Sequence, residues 1–220
     1  MLVVNTTQVL LPLVLGLALG APVSAAERGS PLVVRASPLL APCVEAAALN
    51  DPTRAVRVDP SAGLDAADVL VGADVEVTRA LEMGMALPDS DLDVARIPWV
   101  LRVPAGNPSR IAGLQDALAR GLEVVLPKDP AAYEARRMAA GRGGRAREAA
   151  DPGELRSASV ALVPLSLAGT GERIPVDLRP IEVRAAVLSG SRQTATARAF
   201  VSFLASEPGQ RAFTACGEKR

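Results

Sequence analysis

Histidine is absent from this chain of 220 residues. That removes Ser-His-Asp and Cys-His catalysis and every His-based metal site. Aromatic residues are almost as scarce: Trp99, Tyr133, Phe200, Phe203 and Phe213 are the whole set. Stacking platforms for sugars or bases are therefore not expected. Neither sign of charge is in excess, with 24 basic and 24 acidic residues, so the chain lacks the footprint of a nucleic-acid binder. No paired carboxylates stand at a spacing that would carry acid–base chemistry, and nothing else points to an enzyme. Asp65, Asp68 and Asp74 lie close together but read as turn and helix caps.

Long apolar runs are also few. Val9 to Leu19 is broken only by Pro12 and Gly16 and is too short to span a bilayer. Small residues follow, and Val23-x-Ala25 and Ser24-x-Ala26 both fit a cleavage rule, so residues 1–26 read as an export signal. The segment before the run lacks Lys and Arg, and an uncleaved anchor is the alternative. The remaining chain is long enough for one large domain or two small lobes. Its two cysteines, Cys43 and Cys216, form an even count in a chain that reads as exported, which favours a disulfide over two separate buried thiols.

What is present is an alternation of short apolar strands with helices of about ten residues, the pattern of α/β lobes with mostly parallel sheets. Expected strands are 31–36, 55–59, 68–71, 97–103, 122–126, 159–164 and 181–188. Ser37 is expected to cap a first helix, with Pro38 at its first position. Further helices are expected over 75–83, from 109 or 110 to 119, and through Tyr133 to Ala140. Arg136, Arg137, Arg142, Arg145 and Arg147 form the one local charge excess, read as a solvated face or, alternatively, as an anion-attracting rim. Near the end, Ala199, Phe200, Phe203 and Leu204 repeat at helical spacing. Ser206-Glu207-Pro208-Gly209 then opens a second short helix with Ala212 and Phe213 on its apolar face.

This closing run, Thr194 to Gly217, resembles the last helices of periplasmic solute-binding proteins, in particular the molybdate-binding family of ABC importers. Other segments resemble the same family in order. Val34-Arg35-Ala36-Ser37 is similar to its opening strand and "AAS" turn, and Ala67 to Asp74 (ADVLVGAD) to its "ADVF.SAD". Trp99 to Pro108 (WVLRVPAGNP), Asp129-Pro130 with Tyr133, and Ala185 to Ser191 (AAVLSGS) follow. The resemblance implies a two-lobed type II periplasmic-binding fold. Lobe one would comprise 27–103 plus 185–220, and lobe two, which is shortened, 104–184. The chain would cross near Val103-Pro104 and Ile181-Val187. In such a fold the last helices return to the first lobe, where Cys216 could meet Cys43.

The resemblance also implies a small oxyanion such as molybdate or tungstate, bound between the lobes of a periplasmic monomer and delivered to an inner-membrane ABC permease. No cofactor is implied. A dianion in a closed cleft needs hydrogen-bond donors, which helix N-termini supply. Ser37, Gly72, Ala73, Ala131 and Ala132 are the candidate ligand contacts on this ground. Gly72 stands where the family has a second serine. The family's tyrosine before the return strand falls near Val183 or Arg184, and its "GIVY.SDA" segment reads Ala161 to Ala168 (ALVPLSLA). These departures leave open a second role, a binding-protein fold acting as a periplasmic accessory or interaction protein without a transport ligand.

Overall fold

A computed structural model describes residues 30–51, 55–129, 132–141 and 145–217. The expected export signal, Ala131 and Arg142 lie outside these residues. Two five-stranded sheets carry the fold. The first contains β1 (Leu32–Ala36), β2 (Val56–Val58), β3 (Val69–Ala73), β4 (Leu92–Ile97) and β10 (Ile181–Val187), in the order β2-β1-β3-β10-β4. The second contains β5 (Trp99–Val103), β6 (Val124–Leu126), β7 (Ala146–Glu148), β8 (Ala161–Pro164) and β9 (Glu172–Pro175), in the order β7-β6-β8-β5-β9. Seven α-helices are described: α1 (Ala41–Ala48), α2 (Asp74–Glu82), α3 (Leu114–Ala119), α4 (Tyr133–Ala140), α5 (Pro152–Ser157), α6 (Thr194–Ala205) and α7 (Glu207–Thr214).

Both sheets are mixed, where mostly parallel sheets were expected. In the first, β1 pairs in parallel with β2 and β3, but β10 lies antiparallel to β3 and β4. In the second, β6 pairs in parallel with β7 and β8, but β5 lies antiparallel to β8 and β9. The antiparallel members are the first strands laid down after each passage between the sheets. A strand that enters from the other sheet arrives without a crossover helix of its own, so nothing obliges it to run parallel.

The passage from first sheet to second falls at Pro98, ahead of the crossing expected near Val103-Pro104. The segment 97–103 is therefore two strands of different sheets rather than one. Proline has no N–H to offer a ladder, and it holds the preceding Ile97 extended. The Pro98 carbonyl instead accepts from the Leu165 N–H at 2.8 Å. The return passage lies between β9 and β10.

Helix α1 begins at Ala41, not directly after Ser37. The Ser37 carbonyl accepts from the N–H groups of Leu40 and Ala41 at 2.8 and 2.9 Å, closing a turn before the helix. The Ser37 side chain makes no cap, which corrects that expectation. Helix α3 begins only at Leu114, because the Asn107 side chain exchanges two hydrogen bonds of 2.8 Å with the Ile111 backbone. Arg110, at φ 48°, stands outside any right-handed helix. Helices α4, α6 and α7 fall where the sequence places them. Ser206 caps α7, accepting from the Gly209 N–H at 3.4 Å.

The closing helices are anchored by Phe200, Leu204 and Phe213, all fully buried. Cys43, on α1, is bonded to Cys216 in the final turn, across 173 residues of chain and a Cα separation of 5.0 Å. Closing so long a loop lowers the entropy of the unfolded chain by about 5 kcal/mol in the chain-entropy treatment. Reduction, or Cys43→Ala with Cys216→Ala, should therefore lower the urea midpoint by the equivalent of about 2–5 kcal/mol. An unchanged midpoint after complete reduction would contradict it. Gly209 packs against the end of α6, where an added Cβ would lie 2.1 Å from the Phe203 carbonyl oxygen and 2.8 Å from the Leu204 Cα. These are backbone atoms and cannot rotate away. Gly209→Ala should cost about 1–3 kcal/mol in equilibrium unfolding.

Candidate functional site

The candidate residues converge on the seam between the sheets. Strands β1, β3 and β6 end there: Ser37 follows β1, Gly72-Ala73 close β3, and Asp129 lies just past β6. This is the carboxyl edge of the strands, where open α/β sheets take their ligands. Strand β3 is buried along its whole length, which fixes the position of Gly72 and Ala73 at its end. Ser37 and Asp129 are both buried, at 7% and 5% exposure.

Among the described residues, four donors at the seam already have acceptors. The Ser37 hydroxyl donates to Asp129 Oδ2 at 2.6 Å, joining residues 92 apart in the chain and on different sheets. The Ser37 N–H donates to the Val71 carbonyl at 3.1 Å. The Ala73 N–H donates to Glu76 Oε2 at 3.1 Å. This is half of a capping box, with Ala73 as N-cap of α2 and no side-chain acceptor to complete it. The Ala132 N–H donates to the Asp129 carbonyl at 2.9 Å, and Ala132 is fully buried.

Sequence reasoning counted neither the Glu76 carboxylate nor the Asp129 carboxylate in the site. Asp129 reads as a helix start whose backbone faces the ligand, but α4 begins at Tyr133 and the Asp129 carboxylate reaches Ser37 beyond the opposite sheet. The signal for Glu76 was Gly72. A Cβ there would stand 2.7 Å from Glu76 Oε2 and 3.2 Å from its Cβ. The glycine thus clears the space into which the Glu76 carboxylate folds, at the place where a serine would put a hydroxyl. Burial pushes the Glu76 carboxyl above its ordinary range, and the negative Asp129 pushes it further. The Ala73 N–H and the Arg35 charge oppose this without cancelling it.

Beside this pair opens a cleft with a volume of about 720 Å³, lined by Ala73 and Asp129 together with charged residues of both signs. Arg136 is held on one wall by the carbonyls of Pro127 and Asp129, at 3.2 and 3.0 Å, and by Glu148 at 3.5 Å. Arg179 pairs with Glu182 at 2.9 Å. Arg184, on β10, pairs with Asp74 at 2.9 Å and also with Asp91. Arg147, from the arginine-rich run, is paired with Glu123 and Glu154. Arg136 and Arg147, both members of that run, are thus spent on neighbours within the fold. Asp68 caps no turn through these bonds but ties distant segments together, accepting from the Val33 N–H at 2.9 Å and the Ser191 hydroxyl at 2.7 Å. Among the described residues no group of three His, Cys, Asp or Glu side chains is placed to hold a metal ion.

A carboxyl whose pKa is raised by folding binds its proton more tightly in the native state. The stability this adds is fully present below the ordinary value of 4.5 and is lost as pH rises through the raised one. Glu76→Gln keeps an acceptor for the Ala73 N–H and removes the charge. The variant should be more stable than the parent at neutral pH, with the difference shrinking as pH falls. Urea midpoints at several pH values between about 4 and 8 would show this. Parallel curves for the two proteins would rule it out.

The family described as bacterial extracellular solute-binding protein matches residues 158–217. Among curated proteins no sequence match is found. Solved structures match over most of the chain. The periplasmic molybdate-binding protein of Azotobacter vinelandii is 18% identical, with a TM-score of 0.64 over 84% of this chain and 97% of that one. The sulfate-binding protein SubI of Mycobacterium tuberculosis is 19% identical, with a TM-score of 0.66 over 86% of each chain. The tungstate ABC transporter from Geobacter sulfurreducens is 11% identical, with a TM-score of 0.64 over 84% of this chain and 98% of that one. At these identities the likeness is one of architecture: the chain has the two-lobed α/β fold of type II periplasmic binding proteins.

Proposed function

We propose that this protein is the extracytoplasmic solute-binding component of an ABC importer, and that it takes a small oxyanion between its lobes for delivery to a membrane permease. One observation carries the reading. Two donors at the seam, the Ser37 hydroxyl and the Ala73 N–H, each hold a carboxylate oxygen. Asp129 and Glu76 stand where the oxygens of a bound anion would stand, and their fit argues that the donors suit one. Gly72 and the backbone at Ala131 and Ala132 complete the proposed contacts. The solved relatives named for molybdate, sulfate and tungstate support the same class of ligand. The protein would act as a monomer, exported by the signal in residues 1–26, with one lobe built on the sheet of β1–β4 and β10 and the other on the sheet of β5–β9.

In this reading ligand entry exchanges one anion for another. Two unit charges about 4 Å apart repel by about 4 kcal/mol at the effective dielectric of a protein surface. A dianion cannot therefore share the seam with both carboxylates ionised. Opening the lobes separates Ser37 from Asp129, and protonation neutralises Glu76. Binding should strengthen as pH falls through the raised pKa of Glu76.

The filled seam also favours a second reading. If the two carboxylates never leave, the donors are permanently satisfied and the protein is an accessory or interaction partner that carries no solute. Calorimetry with molybdate, tungstate, sulfate and phosphate separates the two. Under the first, at least one oxyanion binds, more tightly at pH 5 than at pH 8, and Glu76→Gln binds more tightly than the parent at pH 8. Under the second, no oxyanion gives heat with either protein at either pH.

A further inference from the structure

A second cavity, of about 870 Å³, lies apart from the seam residues. Helices α1 and α7 form one side of it. Strand β5, helix α5 and the segment after β8 form the other, so both lobes contribute. Its chemistry is one-sided. Arg102, Arg156 and Arg211 line it, and among the described residues no carboxylate does. The salt bridge of Arg211 to Glu207, at 3.4 Å, joins two exposed side chains and is screened by solvent. Arg102 binds only backbone carbonyls through its Nη2, those of Leu155 and Ala158 at 2.7 Å each.

Two polar groups at this cavity are left without partners. The Ser166 hydroxyl is buried, the residue being 5% exposed, and has no hydrogen-bond partner. Arg102 Nε is likewise buried and unpartnered. Three such side-chain atoms occur among the described residues, and two of them belong to residues that line this one cavity. Buried polar groups nearly always find a partner, so a pair of orphans beside a basic cavity asks for a ligand that accepts hydrogen bonds. Burial also lowers the pKa of Arg102, which marks a guanidinium short of solvent and countercharge. The rest of the lining includes Ala46, Leu167 and Ala212, which offer an apolar wall.

We infer that this cavity binds a small organic anion, a phosphate or carboxylate group carried on a short apolar body. The guanidinium groups and the Ser166 hydroxyl receive the charged end, and the apolar wall receives the body. The site shares no residue with Ser37, Gly72, Ala73, Glu76 or Asp129. Its occupant touches both lobes.

Butyl phosphate is the probe, titrated by calorimetry into the full chain, with inorganic phosphate and butylammonium as comparisons. Butyl phosphate should bind with a Kd below about 10 mM and more tightly than inorganic phosphate, and butylammonium should not bind. Arg156 and Arg211 are exposed, so Arg156→Gln with Arg211→Gln leaves the fold intact. That double variant should weaken butyl phosphate at least about tenfold. Ser166→Ala should weaken it as well, while raising the melting temperature measured without probe, because it removes an unsatisfied buried hydroxyl. Absence of butyl phosphate binding, equal binding of butylammonium, or undiminished affinity in the double arginine variant would each overturn the inference.

Discussion

The hydrogen bond from Ser37 to Asp129 is the contact on which the functional geometry turns. It joins the end of β1 in one sheet to the end of β6 in the other, at 2.6 Å and out of reach of bulk water. A hydroxyl donating to a buried carboxylate is stronger than a neutral pair, and breaking it strands a charge. The contact therefore favours the closed seam without any ligand. It also brings Asp129 close enough to raise the Glu76 pKa. The two carboxylates and the two donors form one electrostatic unit, and whatever enters must disturb all of it.

Much of the architecture was legible in the sequence because local and tertiary preferences agree there. The Phe200, Leu204 and Phe213 pattern marks two helices that the core then uses fully. The return strand at Ile181 and the strand ending at Ala36 show runs of β-branched and small residues with turns beyond. The misses have physical reasons. Strand β7 is wholly exposed and β9 nearly so, so neither carries an apolar alternation to read. Pro98 divides a run that looks continuous in hydropathy, and only its missing N–H betrays the break. The delayed start of α3 depends on a side-chain clasp at Asn107 that leaves no trace in periodicity.

The site was legible in a different way. Strand ends and helix starts single out Ser37, Gly72 and Ala73, and the structure brings these three residues together at the seam. Its occupancy did not follow. Glu76 sits in the first turn of a helix, where acidic residues are common for reasons of the dipole alone. Nothing in its neighbours distinguishes it except the absence of a side chain at Gly72. The partnership of Ser37 with Asp129 spans 92 residues and two sheets, a distance over which pattern carries no information.

The disulfide has a consequence for how the two lobes share stability. Cys43 and Cys216 both belong to segments packed with the first sheet, and the whole second sheet lies in the chain between them. The bond thus makes the second lobe an insert within a closed ring. Such an insert can lose its order while the first lobe holds both of its ends at a fixed separation, and it then refolds from a tethered start. The staple resists global unraveling from within the first lobe, and the second lobe is held by its own sheet and by the core it shares with the first.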